Sequence, residues 1–85
     1  MHYDVNKAEY VSGYKISLEF ADGSKGVADL KKIIDKGGVF NELQKLENFK
    51  KFFIHSELKV LTWENEIDIA PETLYALAIP EKVSA

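Results

Sequence analysis

A two-layer α+β domain with a mainly antiparallel sheet is the fold this sequence predicts, and three observations predict it. Tyr14, Ile16, Leu18 and Phe20 alternate with Lys15, Ser17 and Glu19, the period-two pattern of a half-buried strand. Apolar runs at both ends of the chain are separated by tight turns such as Ser12-Gly13 and Asp22-Gly23, and strands joined so closely pair antiparallel. Between them, residues 30–49 carry apolar side chains at spacings of three and four, which is helical. The predicted order is two to three N-terminal strands, two short helices, a C-terminal β-hairpin or meander and a final short helix, all in one domain over residues 1–85.

The first strand, Tyr3 to Val11, is mixed in polarity and is expected to bend near Asn6-Lys7. After the second strand, Asp22-Gly23 tolerates the positive φ angles of a two-residue type I′ turn, which would set Leu18 opposite Val27. Asp29 is placed to accept amide hydrogens from the first turn of a short helix bearing Leu30, Ile33 and Ile34. Gly37-Gly38 ends that helix, since glycine enters the left-handed region without steric cost. A second helical segment puts Phe40, Leu43 and Leu46 on one side, with Asn48 breaking or capping it and Phe49 returning to the core.

Phe52-Phe53-Ile54-His55 and Val60-Leu61-Thr62-Trp63 are rich in aromatic and β-branched residues and flank a four-residue loop, Ser56 to Lys59, so they read as a hairpin. Pairing outward sets Phe53 beside Thr62 and Ile54 beside Leu61, and places Phe52 and Trp63 together on the core face. At the next turn, a two-residue loop would expose Ile67 and Ile69. A three-residue loop over Glu64-Asn65-Glu66 instead pairs Trp63 with Ile67 and Leu61 with Ile69, and burying each isoleucine is worth about 2 kcal/mol. The longer loop is therefore the expected one. Pro71 suits the first position of a helix whose apolar face is Leu74 and Leu77, and residues 79–85 are expected to fray.

Size and composition limit the function. A chain of 85 residues buries only about 60–65% of the surface its unfolded form exposes, so the core is thin. There is no cysteine, which removes disulfides, thiolate nucleophiles and thiolate metal sites together. No apolar run approaches the ~20 residues of a membrane helix, and the start lacks a basic segment followed by an apolar one, so the cytoplasm is the expected compartment. All eleven basic residues are lysines, and without the guanidinium fork that reads base edges, sequence-specific nucleic-acid binding by this domain alone is not expected. Residues 30–53 hold six lysines against three acids, whereas residues 57–85 hold two lysines against six acids. Such asymmetry can orient a partner, though a solvated exterior explains it as simply.

No residue pattern argues strongly for catalysis. His2 and His55 are the only imidazoles, one near the terminus and one on the hairpin's outer face, and no metal or cofactor is expected. Glu64, Glu66 and Asp68 are close in sequence, yet the alternating ligands, central glycine and final Glu of a twelve-residue calcium loop are missing. Asp22 favours its turn, Asp29 a helix start, and Asp68 is placed to accept from amides opening the last helix. Gly23, Gly26, Gly37 and Gly38 read as turn glycines rather than a phosphate loop. Lys31, Lys32, Lys36, Lys45, Lys50 and Lys51 could touch a phosphate backbone only weakly and with strong salt dependence. Most aromatics are core by spacing, but Phe53 points outward near a sheet edge, where it would suit a partner. The candidate interaction surface is therefore Phe53, His55, Glu64, Asn65, Glu66 and Asp68.

Phe20-Ala21-Asp22-Gly23, Asp29-Leu30, Gly38-Val39-Phe40 with Leu43, Phe49, and the block from Trp63 through Ile69, Pro71 and Leu74 to Tyr75 together resemble one bacterial family, domain-of-unknown-function family twenty-four forty-two. The likeness spans about Tyr3 to Tyr75. It implies a small α+β domain with no established activity, found alone or as the N-terminal part of a longer chain ending in a helix-turn-helix. Members that stand alone are often encoded beside another small protein in an arrangement similar to toxin and antitoxin pairs. Many relatives carry Asn-Gly in the turn after the tryptophan where this chain has Asn65-Glu66, which favours the longer loop. Up to Ala85 there is no room for a helix-turn-helix, so the DNA-binding role of longer members is not expected to carry over. The expected function is thus a non-enzymatic protein-interaction module, the antitoxin-like or regulatory partner of a neighbouring small protein, with self-association as the other form of partnership. The alternative is a small ligand-binding or enzymatic domain using Glu64 to Asp68, and a weaker one is low-specificity nucleic-acid binding through the lysine-rich segment.

Overall fold

The computed structural model describes residues 3–64 and 66–80. Its strands are β1 (Val5–Ser12), β2 (Lys15–Phe20), β3 (Lys25–Asp29), β4 (Phe53–Ile54), β5 (Leu61–Trp63) and β6 (Ile67–Ile69). They form two antiparallel three-stranded sheets in the orders β1-β2-β3 and β4-β5-β6. The helices are α1 (Lys31–Ile34), a 3₁₀ helix (Gly38–Gln44), α2 (Leu46–Phe49) and α3 (Pro71–Ala78). The amide of Val5 donates to the carbonyl of Lys59 at 2.9 Å, tying the start of β1 to the loop between β4 and β5. The α+β class, the antiparallel pairing and the order of elements agree with the sequence reading.

The first sheet puts Ile16, Leu18 and Phe20 inward, all fully buried, as alternation requires. Between Val5 and Lys7 the β1–β2 register shifts, which is the bend expected near Asn6. The β2–β3 register differs from expectation by one residue, because Leu18 pairs with Gly26 and Ser17 with Val27. The loop holds Ala21, Asp22 and Gly23, closed by Phe20 N–H donating to the Ser24 carbonyl at 2.9 Å, with Gly23 at φ 87°. Val27 is consequently 47% exposed. The slip has a packing reason. A Cβ on Gly26 would lie 2.1 Å from the Ala78 carbonyl oxygen, so Gly26 is the close-approach point of α3 rather than a turn glycine.

Asp29 accepts from the Lys31 amide at 3.0 Å through Oδ1, and Gly37 and Gly38, at φ 72° and 60°, end α1 as expected. The next segment is 3₁₀ rather than α-helical, and its three-residue turn stacks Phe40 above Leu43. Lys45, extended at φ −81° and ψ 120°, breaks the run three residues before Asn48, and Leu46 then lies 39% exposed instead of on the core. Gln44 holds this stretch in place. Its Nε2 donates to the Ile34 carbonyl at 3.2 Å, and its carbonyl accepts from the Tyr14 hydroxyl.

Phe49 is fully buried, with the rings of Tyr14, Trp63, Tyr10 and Phe52 at 5.2, 5.8, 6.4 and 6.5 Å. Trp63 Nε1–H donates to the Phe49 carbonyl at 2.8 Å, giving the buried indole its polar partner. In the second sheet Phe53 pairs with Thr62, Ile54 with Leu61, Trp63 with Ile67 and Leu61 with Ile69, all as expected. Pro71 opens α3, which buries Leu74 and Tyr75. Leu77 is 40% exposed, and Ile79, expected in a frayed tail, is 2% exposed and part of the core. Asp68 does not cap α3 either. The α3 start has no side-chain cap, and the amides of Thr73 and Leu74 bond the Ala70 carbonyl.

Candidate interaction face

Strand alternation that turns Ile54, Leu61, Trp63, Ile67 and Ile69 toward the core places the intervening residues on the opposite face of the second sheet. Phe53 faces Thr62, and Thr62 faces Asp68, in one row across β4, β5 and β6. Thr62 is 8% exposed, and its Oγ1–H donates to the Val60 carbonyl at 3.1 Å, so it forms a satisfied floor. Phe53, at 46%, and Leu58, at 61%, make an apolar bank on the β4 side. Glu64, Glu66 and Asp68, all exposed, make an acidic bank on the other.

His55 closes the end nearer the β4–β5 loop. Its Nδ1 accepts from the amides of Glu57 and Leu58 at 3.2 and 3.1 Å, while its backbone pairs with Val60 and Lys59. With Nδ1 engaged as an acceptor, Nε2 is left as the ring's donor position. At the other end, Glu66 adopts φ 61°, the left-handed conformation that suits the last residue of the expected three-residue loop.

The structure thus gathers Phe53, His55, Glu64, Glu66 and Asp68 around one open trough. Asn65 lies outside the described residues. Sequence reasoning missed Leu58, which has no periodicity to mark it within a polar loop, and Thr62, whose burial follows from its central strand. Among the described residues, Glu64, Glu66 and Asp68 form no ion pair, whereas on the outer face of the first sheet Glu19 meets Lys25 at 3.4 Å and in α1 Lys31 meets Asp35 at 3.0 Å. The trough is therefore an apolar strip beside carboxylates that pair with no cation among the described residues. Among the described residues no three His, Asp or Glu side chains gather to hold a metal ion, and no helix is long and apolar enough to cross a membrane.

A second, smaller cleft lies behind the same turn, between Glu42, Asn48, Lys51 and Glu64. The Asn48 side-chain amide spans part of it, donating to the Glu42 carbonyl at 3.0 Å.

Comparison with known proteins agrees with this geometry at the level of fold. A crystal structure from Nitrosomonas europaea, described as a "Putative DNA Binding Protein", superposes with a TM-score of 0.79 at 16% identity, over 93% of this chain and 50% of that one. This chain thus spans half the length of that neighbour. No curated protein matches it. The family model for "Protein of unknown function (DUF2442)" matches residues 5–80, from the first residue of β1 to the residue after Ile79, and the chain belongs to that family.

Proposed function

We propose that this chain is a protein-interaction module that presents the outer face of β4, β5 and β6 to another protein, as the antitoxin-like or regulatory half of a two-protein pair in the cytoplasm. One observation carries the reading: a phenylalanine, 46% exposed, stands on the edge strand β4 in the same trough as three carboxylates that have no ion-pair partner among the described residues. Exposed large apolar groups rimmed by polar ones mark interaction sites, and aromatic anchors carry a large share of interface energy. An open trough with its acids spread along one bank offers a substrate no enclosed, convergent set of acid, base and nucleophile.

The test is affinity capture from a bacterial lysate with wild type, Phe53→Ser and Val27→Ser, followed by reconstitution with the purified captured protein. Val27 is equally exposed, at 47%, but belongs to the other sheet. A partner bound by wild type and Val27→Ser and lost by Phe53→Ser is the expected result. Retention of every partner by Phe53→Ser would refute the reading.

One observation favours a second reading. The DNA-related description of the Nitrosomonas europaea neighbour meets, in this chain, exposed Lys31, Lys32, Lys36, Lys45, Lys50 and Lys51. Lys31 is partly engaged by Asp35, whose hydrogen bond and charge raise its pKa, so it remains cationic. Binding of this kind would be salt-sensitive, and Lys50→Glu with Lys51→Glu would abolish retention on immobilised duplex DNA.

A further inference from the structure

Resting on the protein-interaction reading, we propose that the trough takes an extended protein segment in which a lysine or arginine lies two residues from a leucine-sized side chain. The two banks differ in chemistry. Phe53 and Leu58 offer apolar surface, while Glu64, Glu66 and Asp68 offer charge with no cation paired to it among the described residues. Directly opposed residues on a sheet face are about 5 Å apart at Cβ, so the row from Phe53 through Thr62 to Asp68 spans about 10 Å. An extended segment repeats its same-side residues every ~7 Å, and the long stem of lysine or arginine covers the remainder with its charge at the acids.

Charge complementarity selects this occupant over others. Three like charges beside a half-desolvated apolar bank repel one another, and a cationic partner removes that repulsion in surroundings where charges interact more strongly than in bulk water. A phosphate backbone would meet the same acids with the wrong sign. A bare divalent ion could use the carboxylates but would leave Phe53 and Leu58 uncovered.

The probe is a pentapeptide with leucine and lysine two residues apart, Ser-Leu-Ser-Lys-Ser, so that an extended backbone turns both to one side, titrated into the full chain and followed by amide resonances. The same pentapeptide with serine in place of leucine, the lysine–serine peptide, and with glutamate in place of lysine, the glutamate–leucine peptide, serve as controls. Saturable shifts are expected at Phe53, Leu58, Thr62, Glu66 and Asp68, with affinity at least about tenfold weaker for either control. Glu64→Gln, Glu66→Gln and Asp68→Asn combined, all at exposed positions, should weaken the lysine–leucine peptide by about the same factor while leaving the remaining spectrum in place. Equal binding of the lysine–serine peptide would overturn the apolar requirement, and preference for the glutamate–leucine peptide would overturn the assigned charge. Concentration-dependent shifts at the trough without peptide, with a dimer by sedimentation, would overturn it in favour of a second copy of the chain. If no peptide binds while a captured protein still depends on Phe53, the partner chemistry is wrong and the interaction reading stands; if both fail, both fall.

Discussion

The hydroxyl of Tyr75 donates to Oδ2 of Asp22 at 2.7 Å, joining α3 to the β2–β3 loop across 53 residues of chain. The same carboxylate accepts the Ser24 amide through Oδ1 at 2.9 Å, and the Tyr75 ring stacks edge-on against Phe20 and Tyr3 at 4.9 and 4.8 Å. Ring and hydroxyl therefore make separable contributions. Tyr75→Phe keeps the ring contacts and loses the bond to a charged acceptor, at a cost of about 1–2 kcal/mol. For a chain of this length each kcal/mol lowers the melting temperature by about 4–8 °C. Thermal unfolding of Tyr75→Phe and Tyr75→Leu should show the second falling much further, and equal losses would mean that the hydroxyl contributes nothing.

The register of β2 against β3 sets up a contrast between adjacent residues. Gly26 faces α3, where a Cβ would sit 2.1 Å from the Ala78 carbonyl oxygen and 3.0 Å from Ile79 Cδ1. Backbone cannot yield as a flexible side chain can. Gly26→Ala should therefore cost about 1–3 kcal/mol by overpacking, with α3 displaced from the sheet. Val27→Ala, on the outer face, should change stability by no more than about 0.5 kcal/mol. Chemical denaturation of the two variants checks both, and the opposite order would restore the register in which Val27 faces inward.

That pair also shows what the sequence made legible. The turn after Trp63 could be read because the wrong register exposes Ile67 and Ile69, a penalty visible in residue type alone. The β2–β3 register could not, because its core positions, Gly26 and Ala28, are small, Gly26 where another backbone comes close, and a hydrophobicity pattern gives such positions less weight than Val27 beside them. A continuous α-helical period predicts Leu46 and Leu77 inward. The 3₁₀ segment and the break at Lys45 reset the phase before Leu46, and the buried face of α3 follows Tyr75 rather than Leu77. In the trough, Phe53 was readable from strand pairing. Leu58 sits in a loop, where no period applies, and the role of the His55 ring depends on the backbone path two and three residues beyond it.

That path gives a third prediction. His55 Nδ1 holds the amides of Glu57 and Leu58, just before Lys59 takes up φ 56° and offers its carbonyl to Val5. Asparagine can place an acceptor near the position of Nδ1, whereas glutamine reaches past it. His55→Asn should therefore keep slow amide exchange at Glu57 and Leu58, and His55→Gln should speed it and loosen the Val5–Lys59 link, costing about 1–2 kcal/mol for two unsatisfied amides in a partly solvated loop. Indistinguishable exchange in the two variants would mean that the imidazole is a bystander.

Glu66 offers a way to separate folding from recognition at the same turn. Its backbone is held at φ 61°, where a Cβ costs an L-residue about 1–2 kcal/mol and glycine nothing. Glycine gives back about 0.5–1 kcal/mol through its freer unfolded chain. Because the first effect is the larger, Glu66→Gly should be more stable than wild type by a few tenths to about 1 kcal/mol. It also removes one of the three carboxylates bordering the trough, so it should bind a basic and apolar segment more weakly. Glu66→Gln isolates the charge, since it retains the Cβ and its strain. The expected pattern is a raised melting temperature for Glu66→Gly alone and weakened peptide binding for both variants. Weaker binding confined to Glu66→Gly would assign the effect to the shape of the turn and remove the acidic bank from the account of recognition.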